Sequence, residues 1–342
     1  MPTQSSQTSR TFARYVAPFA PLALALAMNA VPSSNAGTGS ELAEQDIPDN
    51  VTAVKCEENI ADFQACHANY PTGCSKGAGY DAYLNELKNL TPLPATGGVN
   101  LLNQAAFDNL NAKTPSDLGQ DSNHATYKDQ LSQLGEGKQF AIVGYLYYFE
   151  STGAESSNCE LTGTDNVDFH IGIGFDSNLA SQVDSNPKPA PALKKQLQQN
   201  SVIVEMTPHY RAQFEDGIWT LANLAPALGH QVRVTGQLLV DSEHNKPTDN
   251  CALAQTAAQK NHCWRYSIWE LHPVTAFEYC KDDGCTATSG NWIPIGSNSV
   301  ASASGGSHGE VSGETSDGSG ATHRPRGSTR TAEPRSGRVA QP

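Results

Sequence analysis

The sequence predicts a mainly β chain with a small helical part on its N-terminal side. Three observations carry this reading. Residues 139–285 hold five β-branched and aromatic-rich runs of strand length. A run of roughly helical spacing falls between the third and the fourth. Ahead of them, residues 54–138 combine short helical patterns with three cysteines. The order strand, strand, strand, helix, strand, strand is that of a five-stranded OB-like barrel. A small β-sandwich is the competing arrangement.

In the helical part, Tyr80 to Thr91 places Tyr80, Tyr83, Leu84, Leu87 and Leu90 near helical spacing, and Pro92 and Pro94 end it. Ala105 to Leu110 reads as a second short helix. Ala125 to Leu134 reads as a third, entered after Asn123 and stopped at Gly135. The first strand is Phe140 to Phe149, the second Asn166 to Gly174 and the third Ser201 to Thr207. The helix in the slot is Ile218 to Leu228, stopped at Gly229 and weakened in its last turn by Pro226. The fourth strand is Gln231 to Asp241, with Gly236 a candidate bulge. The fifth is Tyr266 to Phe277.

The ends read differently. Residues 1–36 form a secretory signal: Arg10 and Arg14, then an uncharged Ala/Leu-rich run broken by Pro18 and Pro21, then a candidate cleavage site at Ser34-Asn35-Ala36. The apolar run, Tyr15 to Val31, falls short of the roughly 20 residues that span a bilayer, so no stable membrane span is expected after cleavage. Residues 37–53 are a polar linker. Residues 286–342 are a Ser/Gly/Arg-rich tail, expected to be disordered, with Trp292-Ile293-Pro294-Ile295 as the stretch able to tuck onto the barrel. Gly305-Gly306-Ser307-His308-Gly309 matches a serine-hydrolase pattern but lacks the strand-turn-helix context that gives it meaning.

Charge is uneven along the chain. Of the total of −13, residues 1–36 contribute two arginines and no acid, and residues 286–342 five arginines and four acids. Residues 37–285 therefore hold 15 basic and 31 acidic groups, net −16. A body that acidic repels phosphate backbones, so duplex nucleic acid is disfavoured as a partner. The chain has no H-E-x-x-H, Walker loop or dinucleotide glycine motif, which argues against nucleotide-driven and cofactor redox chemistry. The expected partner is a small polar ligand or a metal ion, and the sequence leaves a protein partner unidentified.

All eight cysteines lie in this middle body: Cys56, Cys66, Cys74, Cys159, Cys251, Cys263, Cys280 and Cys285. An even number in an exported chain predicts disulfides and a secreted or periplasmic location. Cys251 with Cys263 and Cys280 with Cys285 are natural short-range pairs; the rest of the connectivity stays open. A cysteine zinc site competes, but no paired C-x-x-C is present.

Ionisable residues recur on the strands at spacing two. Asp168 and His170 share one face of the second strand, opposite Val167, Phe169 and Ile171. Glu205 faces away from Val202, Val204 and Met206 on the third, and His209 follows it. Asp241, Glu243 and His244 close the fourth. Glu270 and His272 alternate with Trp269 and Leu271 on the fifth. Imidazoles and carboxylates brought together suit a divalent transition metal such as zinc. The candidate ligands are His170, Glu205, His244 and His272. Asp168, His209, Asp241, Glu243 and Glu270 are candidate outer partners that orient them. A His–carboxylate acid/base pair and a purely structural hydrogen-bond network are the competing readings.

The segments around Cys66-His67, Tyr70 to Ser75, Asn166 to His170, Val204 to His209, Val240 to His244 and Trp269 to Pro273 together resemble a group of uncharacterised exported bacterial proteins with an OB-like barrel. The resemblance covers residues 54–285 and implies fold and compartment only. The barrel also invites comparison with thermonuclease-like OB enzymes, whose active sites set arginines beside carboxylates; here histidines stand in their place. The expected function is an exported module holding a metal ion or small polar ligand on its His/carboxylate face. A metal-dependent hydrolase acting on phosphodiesters and an envelope or secreted protein with no active site are the alternatives.

Overall fold

The computed structural model describes residues 52–297, except 78, 79, 185–187, 216 and 283. The signal, nearly all of the linker and the tail beyond residue 297 lie outside the described residues. Two short helices come first, α1 (Phe63–Asn69) and α2 (Ala82–Lys88). A three-residue strand β1 (Asn100–Leu102), α3 (Gln104–Lys113) and α4 (Lys128–Leu134) follow. Asp62, Asp81 and Asn103 cap α1, α2 and α3 with their side chains, and Gly135 ends α4 in the left-handed region at φ 112°.

The strands then run β2 (Gln139–Ser151), β3 (Phe169–Gly174), β4 (Ser201–Met206), β5 (Gln231–Val240) and β6 (Trp269–Cys280). Helices α5 (Ser177–Asp184) and α6 (Pro191–Gln199) lie between β3 and β4. Helices α7 (Pro208–Phe214) and α8 (Leu221–Leu224) lie between β4 and β5. Helix α9 (Ala257–His262) precedes β6, and β7 (Trp292–Pro294) closes the described chain.

All seven strands join one mixed sheet. β2 pairs antiparallel with both β3 and β5, β3 with β4, and β5 with β6, while β4 and β6 run parallel. The five strands expected from sequence thus pair in a ring, β2–β3–β4–β6–β5–β2. β1 adds in parallel to β2, and β7 adds antiparallel to β6. Gly236 sits at an irregularity of the β5–β6 register, where a Cβ would come 2.7 Å from the Pro273 carbonyl oxygen. That is the bulge the sequence indicated.

The expectation of a mainly β chain is corrected, because helices and strands share the described residues. Sequence reading assigns no element to residues 175–200, yet α5 and α6 form there. Pro191 opens α6 at its first turn, where its missing N–H costs nothing. Helix α7 is likewise opened by Pro208, just past the expected end of the third strand, in a stretch to which sequence reading assigns no element. In the slot helix, Pro226 limits the α-helical part to α8, and a 3-10 turn at Ala225–Ala227 finishes it.

Strand alternation builds the core. Ile142, Leu146, Ile171, Ile173, Val202, Val204, Val232, Val234, Trp269 and Leu271 all turn inward and are fully buried. Each contributes about 1.5–3 kcal/mol of hydrophobic stabilisation. On the outer face, Leu239 packs against Leu84 and Leu87 of α2, so the N-terminal helices cover that side of the sheet. Gly119 brings this cover close to the turn after β5: its φ is 89°, and a Cβ there would lie 1.9 Å from the Ser242 carbonyl oxygen, so only glycine fits.

The eight cysteines form four disulfides: Cys56–Cys74, Cys66–Cys159, Cys251–Cys263 and Cys280–Cys285. The last two are the short-range pairs expected from sequence. Disulfides form in oxidising compartments, which fits a protein acting outside the cytosol. No helix among the described residues is long and apolar enough to cross a membrane. The Cys280–Cys285 bond closes a separation of five residues and holds the turn into β7. We expect replacement of both cysteines by Ser to cost about 2 kcal/mol in urea unfolding, the chain-entropy value for so short a loop.

Candidate functional site

The outer face of β3, β4 and β6 carries ionisable side chains where it would be expected to carry exposed ones. The register sets His170 of β3 directly opposite Glu205 of β4. The parallel step Val204↔Leu271 then brings Glu205 beside Glu270 and His272 of β6. Since α2 and the turn at Ser156–Asn158 lie over this face, Asp168, Glu205, Glu270 and His272 are all at most 1% exposed. Buried charges persist only when paired, and here the pairs join into one network.

Glu205 is its hub. Its Oε1 lies 2.7 Å from His170 Nε2, and its Oε2 lies 3.1 Å from His272 Nδ1. His272 Nδ1 also meets Glu270 Oε1 at 3.3 Å. The Arg265 guanidinium, fully buried, donates to Glu270 through Nη2 and to Asp241 Oδ2 through Nη1 at 2.6 Å. Asp241 Oδ2 in turn holds His244 Nδ1 at 2.5 Å. Asp168 Oδ1 accepts from Asn158 Nδ2 at 3.3 Å. At the edge, Glu155 stands 3.8 Å from His170 Nε2 and 3.9 Å from the buried Lys88 Nζ.

These contacts set the protonation states. For Glu205, burial would raise the pKa, but His170 and His272 outweigh it and hold the carboxyl well below its usual range. Burial lowers both imidazoles, yet Glu205 lifts His170 to about 9 and His272 to about 10. Asp168 goes the other way, pushed up to about 7 by burial and by the charge on Glu155. Asp241, despite burial, is held well below the carboxylate range by His244, Lys88 and Arg265.

Beside the network a cavity of about 750 Å³ opens to solvent. His170 and Glu155 reach it from below, Asp241, Glu243 and His244 from the loop after β5, and Lys88 from α2. Half-buried Trp264 forms part of its wall. The His244 ring meets Trp264 edge-on at 5.2 Å, and the His170 ring lies nearly parallel to it with centroids 6.5 Å apart.

Of the candidate ligands read from sequence, the structure brings His170, Glu205 and His272 together. His244 belongs to the same network but is separated from them by Asp241, Arg265 and Glu270. Among the candidate outer partners, Asp168, Asp241 and Glu270 join the network, and Glu243 lines the cavity. His209 lies apart. It stacks on His67 at 4.8 Å, donates Nε2–H to the Asn89 carbonyl at 2.9 Å, and is driven down to about 4 by burial and by His67. Two sets of three residues offer ligand atoms within 4.8 Å of one another, Glu155–His170–Glu205 and Asp168–Glu205–His272. Three cysteine sulfurs also cluster, but all three are engaged in disulfides.

Sequence reasoning missed Arg265, Lys88 and Glu155. Arg265 precedes β6, so strand alternation says nothing about it. Lys88 did leave a signal: it sits one turn after Leu84, on the stripe that α2 buries. Comparison with protein-family models, curated proteins and solved structures gives no match to this chain.

Proposed function

We propose that the chain is an exported binding protein, secreted or periplasmic, that holds a small polar ligand in the cavity beside His170 and Trp264. The observation that carries this reading is where the cavity lies. The ring order of the five strands, with its parallel β4–β6 step, supports an OB-like barrel. In OB-folds the loops after the first and fourth strands border the ligand face. The corresponding loops here follow β2 and β5, and both line the cavity. Each also carries a disulfide: Cys159 ties the first to α1, and Cys251–Cys263 braces the second. Bracing reduces the ordering cost that a ligand would otherwise meet. The volume falls within the ordinary range of small-molecule sites.

The wall chemistry supports a ligand class. Glu150, Glu155, Glu160, Asp241 and Glu243 outnumber Lys88 and the protonated His170, so a polyanion meets net repulsion. Ser151, Thr152, Ser156, Asn85 and Gln198 supply hydroxyl and amide groups beside the Trp264 ring. That combination suits a neutral, hydroxyl-rich molecule of one or two sugar rings. The test is calorimetric titration with a panel of neutral mono- and disaccharides, with phosphate esters as the contrast. We expect binding within the sugar panel, at least tenfold weaker binding in W264A, and none by the phosphates. A panel with no binder, or a W264A protein that binds as well as wild type, overturns the reading.

A further inference from the structure

Beneath the cavity floor lie three fully buried residues whose polar atoms are incompletely partnered. Asp168 and His272 each have one polar atom engaged and one that makes no hydrogen bond, and Glu205 has one oxygen held only by an ion pair. Asp168 gives Oδ1 to Asn158 and leaves Oδ2 without a partner. Glu205 gives Oε1 to His170, and its Oε2 meets only His272 Nδ1, at 3.1 Å. His272 engages Glu270 through Nδ1 and leaves Nε2 without a partner. A buried polar atom left unsatisfied costs about 1–3 kcal/mol, so two such atoms, Asp168 Oδ2 and His272 Nε2, on either side of a carboxylate oxygen held only by an ion pair call for a common cause. These same residues place one ligand atom apiece within 4.8 Å of one another.

From this placement we propose a divalent transition-metal site made of Asp168, Glu205 and His272. Two carboxylate oxygens and one imidazole nitrogen suit zinc, manganese or ferrous iron and disfavour thiol-seeking ions. The outer partners are of the right kind. A ligating imidazole commonly donates its other N–H to a carboxylate, which fixes the tautomer and the ring orientation. Glu270 stands in that position for His272 and is itself gripped by Arg265. Asn158 and His170 do the same for the two carboxylates. His170 therefore positions Glu205 rather than ligating the ion, and His244, held by Asp241, takes no part. The cavity lining includes His170 but none of the three ligands, so the site is enclosed, and the ion strengthens the sheet below the cavity. This inference does not depend on what the cavity binds.

The test uses full-length mature protein purified without an affinity tag, treated with a chelator, dialysed, and titrated with zinc chloride or manganese chloride. We expect one ion per chain, a rise in melting temperature, and X-ray absorption at the zinc edge showing one imidazole among oxygen neighbours. D168N, close to isosteric, and H272Q should each weaken binding at least tenfold, while H244A binds as wild type. Absence of binding by either metal overturns the proposal. So does an absorption spectrum with sulfur or several imidazoles around zinc, or undiminished binding in D168N. Because the titration and the spectrum are made on the wild-type chain, they decide the matter even if a variant fails to fold.

Discussion

Replacing Arg265 with Ala lowers the unfolding free energy by about 3–5 kcal/mol, read from urea titrations at neutral pH. The guanidinium is fully buried and divides its donors between Asp241 and Glu270. Removing it leaves two carboxylates in a dry environment with less positive charge to hold them. His244 and His272 each compensate one of them, and neither replaces a fork that holds both at once. R265K recovers only part of the loss, since a single ammonium lacks that planar geometry. The contrast is K194A. Lys194 and Glu150 form an ion pair at 3.0 Å with both side chains 47% exposed, and such pairs are worth little in water. An R265A protein no less stable than K194A would show that the buried network does not hold the β5–β6 end of the sheet together.

Much of this network could be read before any coordinates. Alternation along the strands put Asp168, His170, Glu205, Glu270 and His272 on the face away from the valines and leucines, and the sheet pairs those faces side by side. What alternation cannot convey is burial. A polar face on a strand is ordinarily a solvated one, and only the cover by α2 and the turn at Ser156–Asn158 turns this one into an interior. That cover depends on contacts distant in sequence: Leu84 with Leu239, and Cys66 with Cys159. The same limit explains Arg265, which enters the site from a loop whose direction no local pattern encodes; Lys88 sits on the buried stripe of α2, and where that stripe docks is again a matter of distant contacts. The helices α5 and α6 were hidden for a different reason. Their apolar stripes are short, and their packing onto Tyr147 of β2, through Leu179 and Leu197, supplies stability that propensity alone does not.

The metal-free protein is expected to lose about 3 kcal/mol of stability between pH 7 and pH 9. His170 and His272 carry the effect. In the unfolded chain an imidazole releases its proton near pH 6.5, whereas Glu205 keeps these two protonated to about 9 and about 10. A folded-state pKa above the unfolded one gives stability that is complete below pH 6.5. That stability drains away as pH rises toward the folded value, at up to about 1.4 kcal/mol per pH unit for each group. Both imidazoles draw on the one Glu205 carboxylate, so their shares overlap and the fall is less than twice the single-group value. Asp168 acts in the same sense at lower pH, because its folded value of about 7 lies above the unfolded one and stability declines from about pH 4 to 7. Glu205, Asp241 and His209 act in the opposite sense. The two carboxylates are depressed, so their contribution is lost as acid protonates them; His209 is held neutral down to about 4, so acid favours the unfolded chain. The stability maximum therefore lies on the acid side of neutrality. Urea titrations at half-unit intervals from pH 5 to pH 9.5, with chelator present, measure the slope directly. H170Q should reduce it by removing one of the two retained protons. A profile that is level or rising from pH 7 to 9 would mean that neither imidazole keeps its proton in the folded chain, and the charge balance assigned to Glu205 would be wrong.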